Sequence, residues 1–406
     1  MRILFLTDNF PPEVNAPATR TFEHARAWVE AGAAVSVITC APNFPQGRAY
    51  AGYRNALWQT ETIAGIRVVR VWSFMARNAG FARRLIDYTS YAAAAFVAGL
   101  FEAADVIVAT SPQFFTTWAG CGLSAVRGKP WVFELRDLWP ESAFALGMAG
   151  PAPLMRAMER VELALYRNAA RVVALTPAFK ARLMERGIEA GKIVVIPNGV
   201  DRAAFAPQAN PALKAELGAH GRFLIAYIGT HGLAHGLAPL IEAMADLPEA
   251  HLLLIGDGAA KAALAASARS RALPNVTLRP QVPRAEVRAL IAGADAMLVP
   301  LRRADVFRTV IPSKIFEAAA MEKPILLGVE GQAREIVERY GAGLAFVPED
   351  AAAFRAAARR LIADPALARS LGQGGAALAA AYNRPMLAAQ MLDVLHGVVR
   401  DARCST

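Results

Sequence analysis

Short, unbroken apolar runs set the rhythm of this chain, and strictly alternating ones are few. The first run is Arg2-Ile3-Leu4-Phe5-Leu6-Thr7, which passes into polar Asp8-Asn9. A run of this kind fits a strand buried on both faces, the environment of a parallel sheet. A loop with Pro11-Pro12 follows, then a helical pattern over residues 19–31, with Gly32 as its C-cap and the next apolar run at 34–39. The pattern predicts a βαβ unit opening a doubly wound sheet. Further strands are predicted at 66–71, 106–109, 131–135, 172–175 and 193–196, with a long helix over 82–101.

Turn residues then gather at Pro197-Asn198-Gly199-Val200-Asp201, and a second series of runs starts at 223–228. It continues at 251–255, 276–278, 296–299, 324–327 and 345–347, with helices at 237–245, 284–292 and 315–321. We therefore expect an α/β protein of two Rossmann-like domains facing across a cleft. The N-terminal domain takes residues 1–198, the second 199–380, and a helical segment at 381–406 packs back on the first. In open sheets of this type ligands bind at the carboxyl ends of the strands.

Composition narrows the class. Of 406 residues, 55% are hydrophobic and 19% charged, which suits large cores and excludes a disordered chain. Three scattered cysteines (Cys40, Cys121, Cys404) have no metal-ligand spacing and suggest a reducing cytoplasm. The apolar opening is too short for a signal peptide, and the longest mostly apolar stretch, 88–101, falls short of the roughly 20 residues that span a bilayer. A net charge of +10 points to an anionic partner. Between residues 65 and 101, Arg67, Arg70, Arg77, Arg83 and Arg84 face only Asp87 and lie beside Trp72, Phe74 and Phe81. That mixture suits an anionic membrane surface. No nucleic-acid recognition motif accompanies it, so no nucleic-acid partner is expected.

Candidate chemistry lies after the predicted strands. Gly229-Thr230-His231-Gly232 follows one strand, with His235-Gly236 beyond, and Gly256-Asp257-Gly258 follows the next. Glycines placed there let backbone N–H groups approach a phosphate. Pro312-Ser313-Lys314 opens a helix, with Lys314 supplying charge and Glu317 one turn onward able to hold ribose hydroxyls. The same segment also fits an ordinary capped helix with a solvated Glu317. Glu134, Arg136 and Asp137 end the predicted strand 131–135, followed by Leu138-Trp139-Pro140-Glu141, and a structural Arg–Asp pair fits there equally well. The loop 9–19 occupies the equivalent place after the first strand. Asp-x-Asp, HExxH, CxxC and GxSxG are all missing, so no metal is expected. Leaving-group charge then falls to Lys314, Arg308, His231, His235 and helix N-termini.

Ile196-Pro197-Asn198-Gly199-Val200-Asp201, Tyr227-Ile228-Gly229, Gly256-Asp257-Gly258, Pro312-Ser313-Lys314 through Glu317-Ala318, and Gly331 to Glu335 together resemble the family-four glycosyltransferases with the GT-B fold. Arg136-Asp137-Leu138-Trp139-Pro140 is similar to the subgroup in bacterial O-antigen and exopolysaccharide assembly, including transferases of fucosamine-type sugars. The resemblance implies a retaining, metal-independent transfer from a nucleoside-diphosphate sugar, usually UDP-linked, with no cofactor. It implies that Glu317 holds the ribose, and that Ser313 and Lys314 approach the diphosphate beside Arg308 and Pro312. Gly229 to Gly232 lie near the phosphates, and Gly256 to Gly258 edge the nucleotide. Asp137, Arg136 and Lys314 are the catalytic candidates. Asn15, Glu134, Arg136 and Glu335 are implied on the sugar and acceptor side, the acceptor being a lipid-diphosphate-linked saccharide at the inner face of the cytoplasmic membrane. The chain departs from the family in carrying Thr309 where a glutamate is common, Asn15-Ala16 for Gly-Gly, and Arg136 for a histidine. A sugar-nucleotide epimerase or hydrolase, and a non-catalytic nucleotide-binding partner of a transferase, are the alternatives. A dinucleotide oxidoreductase is weakened because no GxGxxG opens either sheet.

Overall fold

The computed structural model describes residues 1–44, 46–75, 81–111, 113–138 and 152–404. Arg77, Pro112, Trp139, Pro140, Glu141 and the ring of Phe81 lie outside the described residues. The chain divides into two compact units, one of Met1–Pro197 with Arg384–Thr406, the other of Asn198–Asn383.

In the first unit the strands are β1 (Arg2–Leu6), β2 (Ala34–Cys40), β3 (Trp58–Ile63), β4 (Ile66–Val71), β5 (Val106–Thr110), β6 (Trp131–Leu135), β7 (Arg171–Ala174) and β8 (Ile193–Val195). Their order is β3-β4-β2-β1-β5-β6-β7-β8, with only β3 antiparallel to its neighbour. Every position of β5 and β6 is buried, as continuous apolar runs require. Strand β3 was not expected. It is an edge strand whose positions alternate between exposed and half-buried, so Trp58-Gln59-Thr60-Glu61-Thr62-Ile63 has no apolar run to betray it. Its hairpin turns through Ala64 and Gly65, both at positive φ (50° and 77°).

The helix Ala16–Glu30 buries Thr21, His24, Ala25 and Trp28, one stripe at helical spacing. Against it lies the final helix, Arg384–Cys404, whose Leu387, Met391, Leu395 and Val398 join the core around Phe5 and Trp28. Each such side chain contributes roughly 1.5–3 kcal/mol by burial. The Trp28 indole N–H donates to the Ala388 carbonyl at 2.8 Å, fixing the register.

The second unit holds β9 (Phe223–Ile228), β10 (Ala250–Ile255), β11 (Val276–Arg279), β12 (Ala296–Pro300), β13 (Ile325–Gly328) and β14 (Gly343–Ala345), all parallel, in the order β11-β10-β9-β12-β13-β14. Leu224 and Ala226 of β9 enter one core, Ile225 and Tyr227 the other, so a run apolar at every position serves two hydrophobic layers. Strand order reverses between β1 and β5 in one unit and between β9 and β12 in the other. Loops at those carboxyl ends are where ligand sites form.

Candidate functional site

In the second unit the loops after β9 and β10 lock onto each other. Gly229, Gly256 and Gly258 have φ near 150°, a region open to glycine. A Cβ on Gly256 would stand 1.8 Å from the Gly229 carbonyl oxygen, and one on Gly258 2.6 Å from that of His231. The Gly229 N–H donates to Ile255 O, the His231 N–H to Asp257 O, and the Ala260 N–H to His231 O, each at 2.8 Å. Gly258 donates to its neighbour Asp257 Oδ1. These glycines thus serve loop-on-loop contact. The amides of Gly229, His231 and Gly258 are spent within the protein, so a phosphate would meet other groups here.

Chief among those groups is Lys314. A Cβ on Gly229 would meet its Cε at 2.4 Å, so the glycine makes room for the lysine. The Nζ lies 5.1 Å from the centre of the Tyr227 ring, a cation–π contact, and the Tyr227 hydroxyl donates to the Thr230 carbonyl at 2.6 Å. Burial pulls the Lys314 pKa down, with Glu317 opposing. Lys314 begins the helix Lys314–Ala320, and the N-cap Ser313 makes no side-chain bond to that helix. Pro312 lies one residue before the cap, outside the first turn where it was predicted. One turn on, Glu317 accepts from Arg284 Nη1 at 3.4 Å, and that guanidinium lies over Phe205. Glu317 is therefore a paired carboxylate, not a solvated one.

Two expected cations are not cations. Burial pushes His231 to about 4 and His235 to about 3, leaving both imidazoles neutral at pH 7 beside Tyr227. Arg308 is exposed and 3.7 Å from Asp305. Its carbonyl sits where a Cβ on Gly331 would fall, which explains that glycine. Glu335 is exposed on the helix Gln332–Arg339 and accepts from Gln332 at 2.7 Å. Sequence reasoning missed Lys261, whose ammonium donates to the Gly256 and Arg279 carbonyls and fixes the β10 loop.

In the first unit, Asn15 caps the helix Ala16–Glu30 by accepting from Ala18 N at 2.9 Å, and its amide donates to Asn9 Oδ1. Its expected sugar-side position becomes a structural tie. Glu134 is likewise committed: it pairs with Arg20 at 2.8 Å, both 1% exposed, and Arg20 also donates to Ile196 O and Pro197 O. Burial opposes the charge on Glu134, but Arg20 and Arg136 outweigh it and hold its pKa below the usual range. The Arg136 N–H donates to Ser111 Oγ at 2.8 Å, joining the ends of β5 and β6. Burial lowers the buried Arg136 to about 10 and raises its neighbour Asp137 to about 6. Asp8 and Glu13, after β1, are raised by burial to about 6 and about 7. Glu13 lay in the loop 9–19 read as bordering the cleft and Asp8 just before it, but neither was singled out. The signal for Arg20 and its surroundings was polar Thr21 and His24 on an otherwise apolar helix stripe.

The basic stretch is smaller than its composition implied. Arg70 is buried and bonded to Glu61, Cys40 O and Pro11 O, and Arg67 pairs with Glu102. Arg83 and Arg84 remain on the helix Phe81–Gly99 with exposed Leu85 and Ile86, near in sequence to exposed Trp72 and Phe74. Among the described residues, no helix is long and apolar enough to cross a membrane.

Comparison with known proteins adds the following. Residues 15–199 match the glycosyl transferase 4-like domain, and residues 210–377 match the glycosyl transferases group 1 model. The chain is 26% identical over 337 residues, 79% of its length and 81% of the other's, to WcaI of Escherichia coli K12, named as a colanic acid biosynthesis glycosyl transferase. Among solved structures it resembles sucrose-phosphate synthase of Thermosynechococcus elongatus, with TM-score 0.79 at 20% identity over 98% of this chain and 99% of that one. It also resembles HepE of Anabaena in complex with UDP-glucose, with TM-score 0.73 at 20% identity over 98% and 100%. At these identities the structural likenesses carry the fold, two Rossmann-like α/β domains of the GT-B type.

Proposed function

We propose that this chain, a glycosyltransferase with a glycosyl transferase 4-like domain followed by a group 1 domain, moves a sugar from a UDP-sugar to a lipid-linked saccharide in surface polysaccharide assembly. Transfer proceeds with retention and without metal, by a peripheral protein at the inner face of the cytoplasmic membrane. The observation that carries this reading is Lys314, half-buried over Tyr227 at the carboxyl end of β9 in a groove that only a glycine at 229 leaves open. A desolvated ammonium gains most from an anion, and the developing diphosphate is that anion.

In the step envisaged, the bond between the anomeric carbon and the diphosphate oxygen breaks. The bond to the acceptor oxygen forms on the same face. The acceptor proton passes to the departing diphosphate, whose charge is met by Lys314 and Arg308. Glu317 holds the ribose in exchange for its contact with Arg284. Arg136 and Asp137 position the sugar or acceptor. The UDP-glucose bound by HepE and the polysaccharide named for WcaI support the donor and the pathway class. Exposed Trp72, Phe74, Leu85 and Ile86 with Arg83 and Arg84 support the membrane surface.

Thermal stabilisation by UDP, GDP, ADP and NAD, with chelator present, tests the reading. A ligand at ~100 Kd adds roughly 2.7 kcal/mol to native stability. A shift with UDP alone is the expected result. Response to no nucleotide would favour a non-catalytic partner, and unchanged turnover in both Arg136→Ala and Asp137→Ala would remove the positioning role.

A further inference from the structure

Three guanidiniums, those of Arg20, Arg136 and Arg384, lie close enough to buried His24 to help keep its imidazole neutral. Two of them have carboxylates bonded to them, Glu134 on Arg20 and Glu23 on Arg384. Arg136 has none. It is 7% exposed, and its Nη1 is buried without an acceptor among the described residues. Glu134 and Asp137 are near enough to favour its charge, but neither is bonded to it: Glu134 makes its ion pair with Arg20. The backbone around it is fixed, since Ser111 Oγ accepts its N–H at the ends of β5 and β6. A buried guanidinium with an unmatched donor is costly, and a fold keeps one where a ligand can match it.

We propose that Arg136 is the receptor for an oxyanion, a carboxylate or a phosphate, carried by one of the sugar substrates. The guanidinium presents a planar fork of donors that matches either group in bidentate fashion, which a neutral sugar hydroxyl cannot match in charge. The position suits a ligand, at a strand's carboxyl end two strands from β1 and next to β5, where the sheet order reverses. This makes the transferase selective for an acidic sugar substrate, and the inference rests on the transferase reading above. The oxyanion has two possible sources, a uronate in the donor or an acidic group on the acceptor.

The test uses the full chain and Arg136→Gln, with binding measured by thermal shift in low-chloride buffer. The probes are UDP, UDP-glucose, UDP-glucuronate, glucose, glucuronate and glucose 1-phosphate. We expect the parent to prefer at least one acidic probe over its neutral counterpart by about tenfold or more, the order of a charge-assisted hydrogen bond. The preference disappears in Arg136→Gln, while UDP itself binds both proteins alike. Preference for UDP-glucuronate over UDP-glucose identifies the donor as the source. Preference for glucuronate or glucose 1-phosphate over glucose, without it, identifies the acceptor. Without ligand, Arg136→Gln and Arg136→Met melt at or above the parent, because burial outweighs the attraction of Glu134 and Asp137 and disfavours the charge they remove. No acidic preference in the parent, the same preference in Arg136→Gln, or a lower melting point in both variants overturns the proposal. Failure of UDP to bind the parent would count against the donor reading separately.

Discussion

The second unit finishes its sheet with backbone, the loops of Gly229, Gly256 and Gly258 interlocking and Lys314 packed on Gly229. The first finishes its sheet with side chains, Arg20 on Glu134 and Arg136 beside Asp137. The difference decides what each end can tolerate and what it can recognise. A backbone lock has no rotamers and a fixed shape, whatever charge arrives. A network of buried charges has a fixed electrostatic preference, and its shape depends on every partner being present.

The largest effects should come from breaking each lock by its own means. Gly256→Ala places a methyl 1.8 Å from a carbonyl oxygen in a conformation hostile to side chains. It should cost about 3–5 kcal/mol, with loss of UDP binding. Arg20→Met leaves Glu134 buried without its partner and should cost a similar ~3–5 kcal/mol, while UDP still binds. Chemical denaturation together with nucleotide titration separates the two. If Arg20→Met abolished UDP binding as completely as Gly256→Ala, the division of labour between the units would be wrong.

Next comes Lys314→Met. Because burial already disfavours the Lys314 charge, a neutral side chain should leave stability equal or better. Transfer should fall by roughly 10²–10³, the usual loss for one electrostatic stabiliser of a transition state. A variant that loses stability and keeps its turnover would make Lys314 a packing residue.

Acid–base behaviour sharpens the contrast further. Glu13 accepts from the amides of Asn43 and Phe44, and burial lifts it from 4.5 to about 7. Between those values the folded state holds a proton that the unfolded chain has released, so this group's contribution falls as pH rises through the window. In the second unit His231, lowered from 6.5 to about 4, acts in the opposite sense, and its contribution falls as pH drops below 6.5. His24, in the first unit, is depressed too and shares the sense of His231, so the measurement must be a difference. The stability gap between Glu13→Gln and the parent should move in favour of the variant from about pH 5 to about pH 8, since a pKa unit is worth about 1.4 kcal/mol. Parallel pH curves for the two proteins would show that Glu13 is ionised normally.

The same contrast explains what could be read in advance. Strands buried on both faces, such as β5, β6 and β9, announce themselves as apolar runs. Glycines after β9 and β10 announce a special backbone, although the loop they meet is invisible in one dimension. Hence 229–232 and 256–258 stood out as special backbone, while the internal acceptors of the Gly229, His231 and Gly258 amides could not be foreseen. The edge strand β3 was missed because its two faces are both partly solvated. The Arg20–Glu134 pair spans 114 positions, and only the polar stripe of the first helix hinted at it. Likewise the histidines at 231 and 235 read as cations until their burial was known.

The smallest expected effect concerns surfaces. Exposed Trp72, Phe74, Leu85 and Ile86 all belong to the first unit, whereas Leu233 and Val347 are the exposed large apolar residues described in the second. With Arg67 paired to Glu102 and Arg70 buried, membrane attraction from this stretch falls among the described residues to Arg83 and to Arg84, which also donates to the Tyr88 hydroxyl. Each arginine near an anionic surface contributes about 1 kcal/mol. Arg83→Gln should therefore weaken sedimentation with phosphatidylglycerol vesicles about fivefold, and adding Arg84→Gln should weaken it about as much again, with little change on neutral vesicles. Trp72→Ala should weaken binding to both vesicle types, because aromatic burial does not depend on lipid charge. If binding ignores lipid charge in the parent, or survives all three substitutions, the first unit meets no membrane through this face. Its exposed aromatics would then have to be explained by the acceptor chain or by another protein.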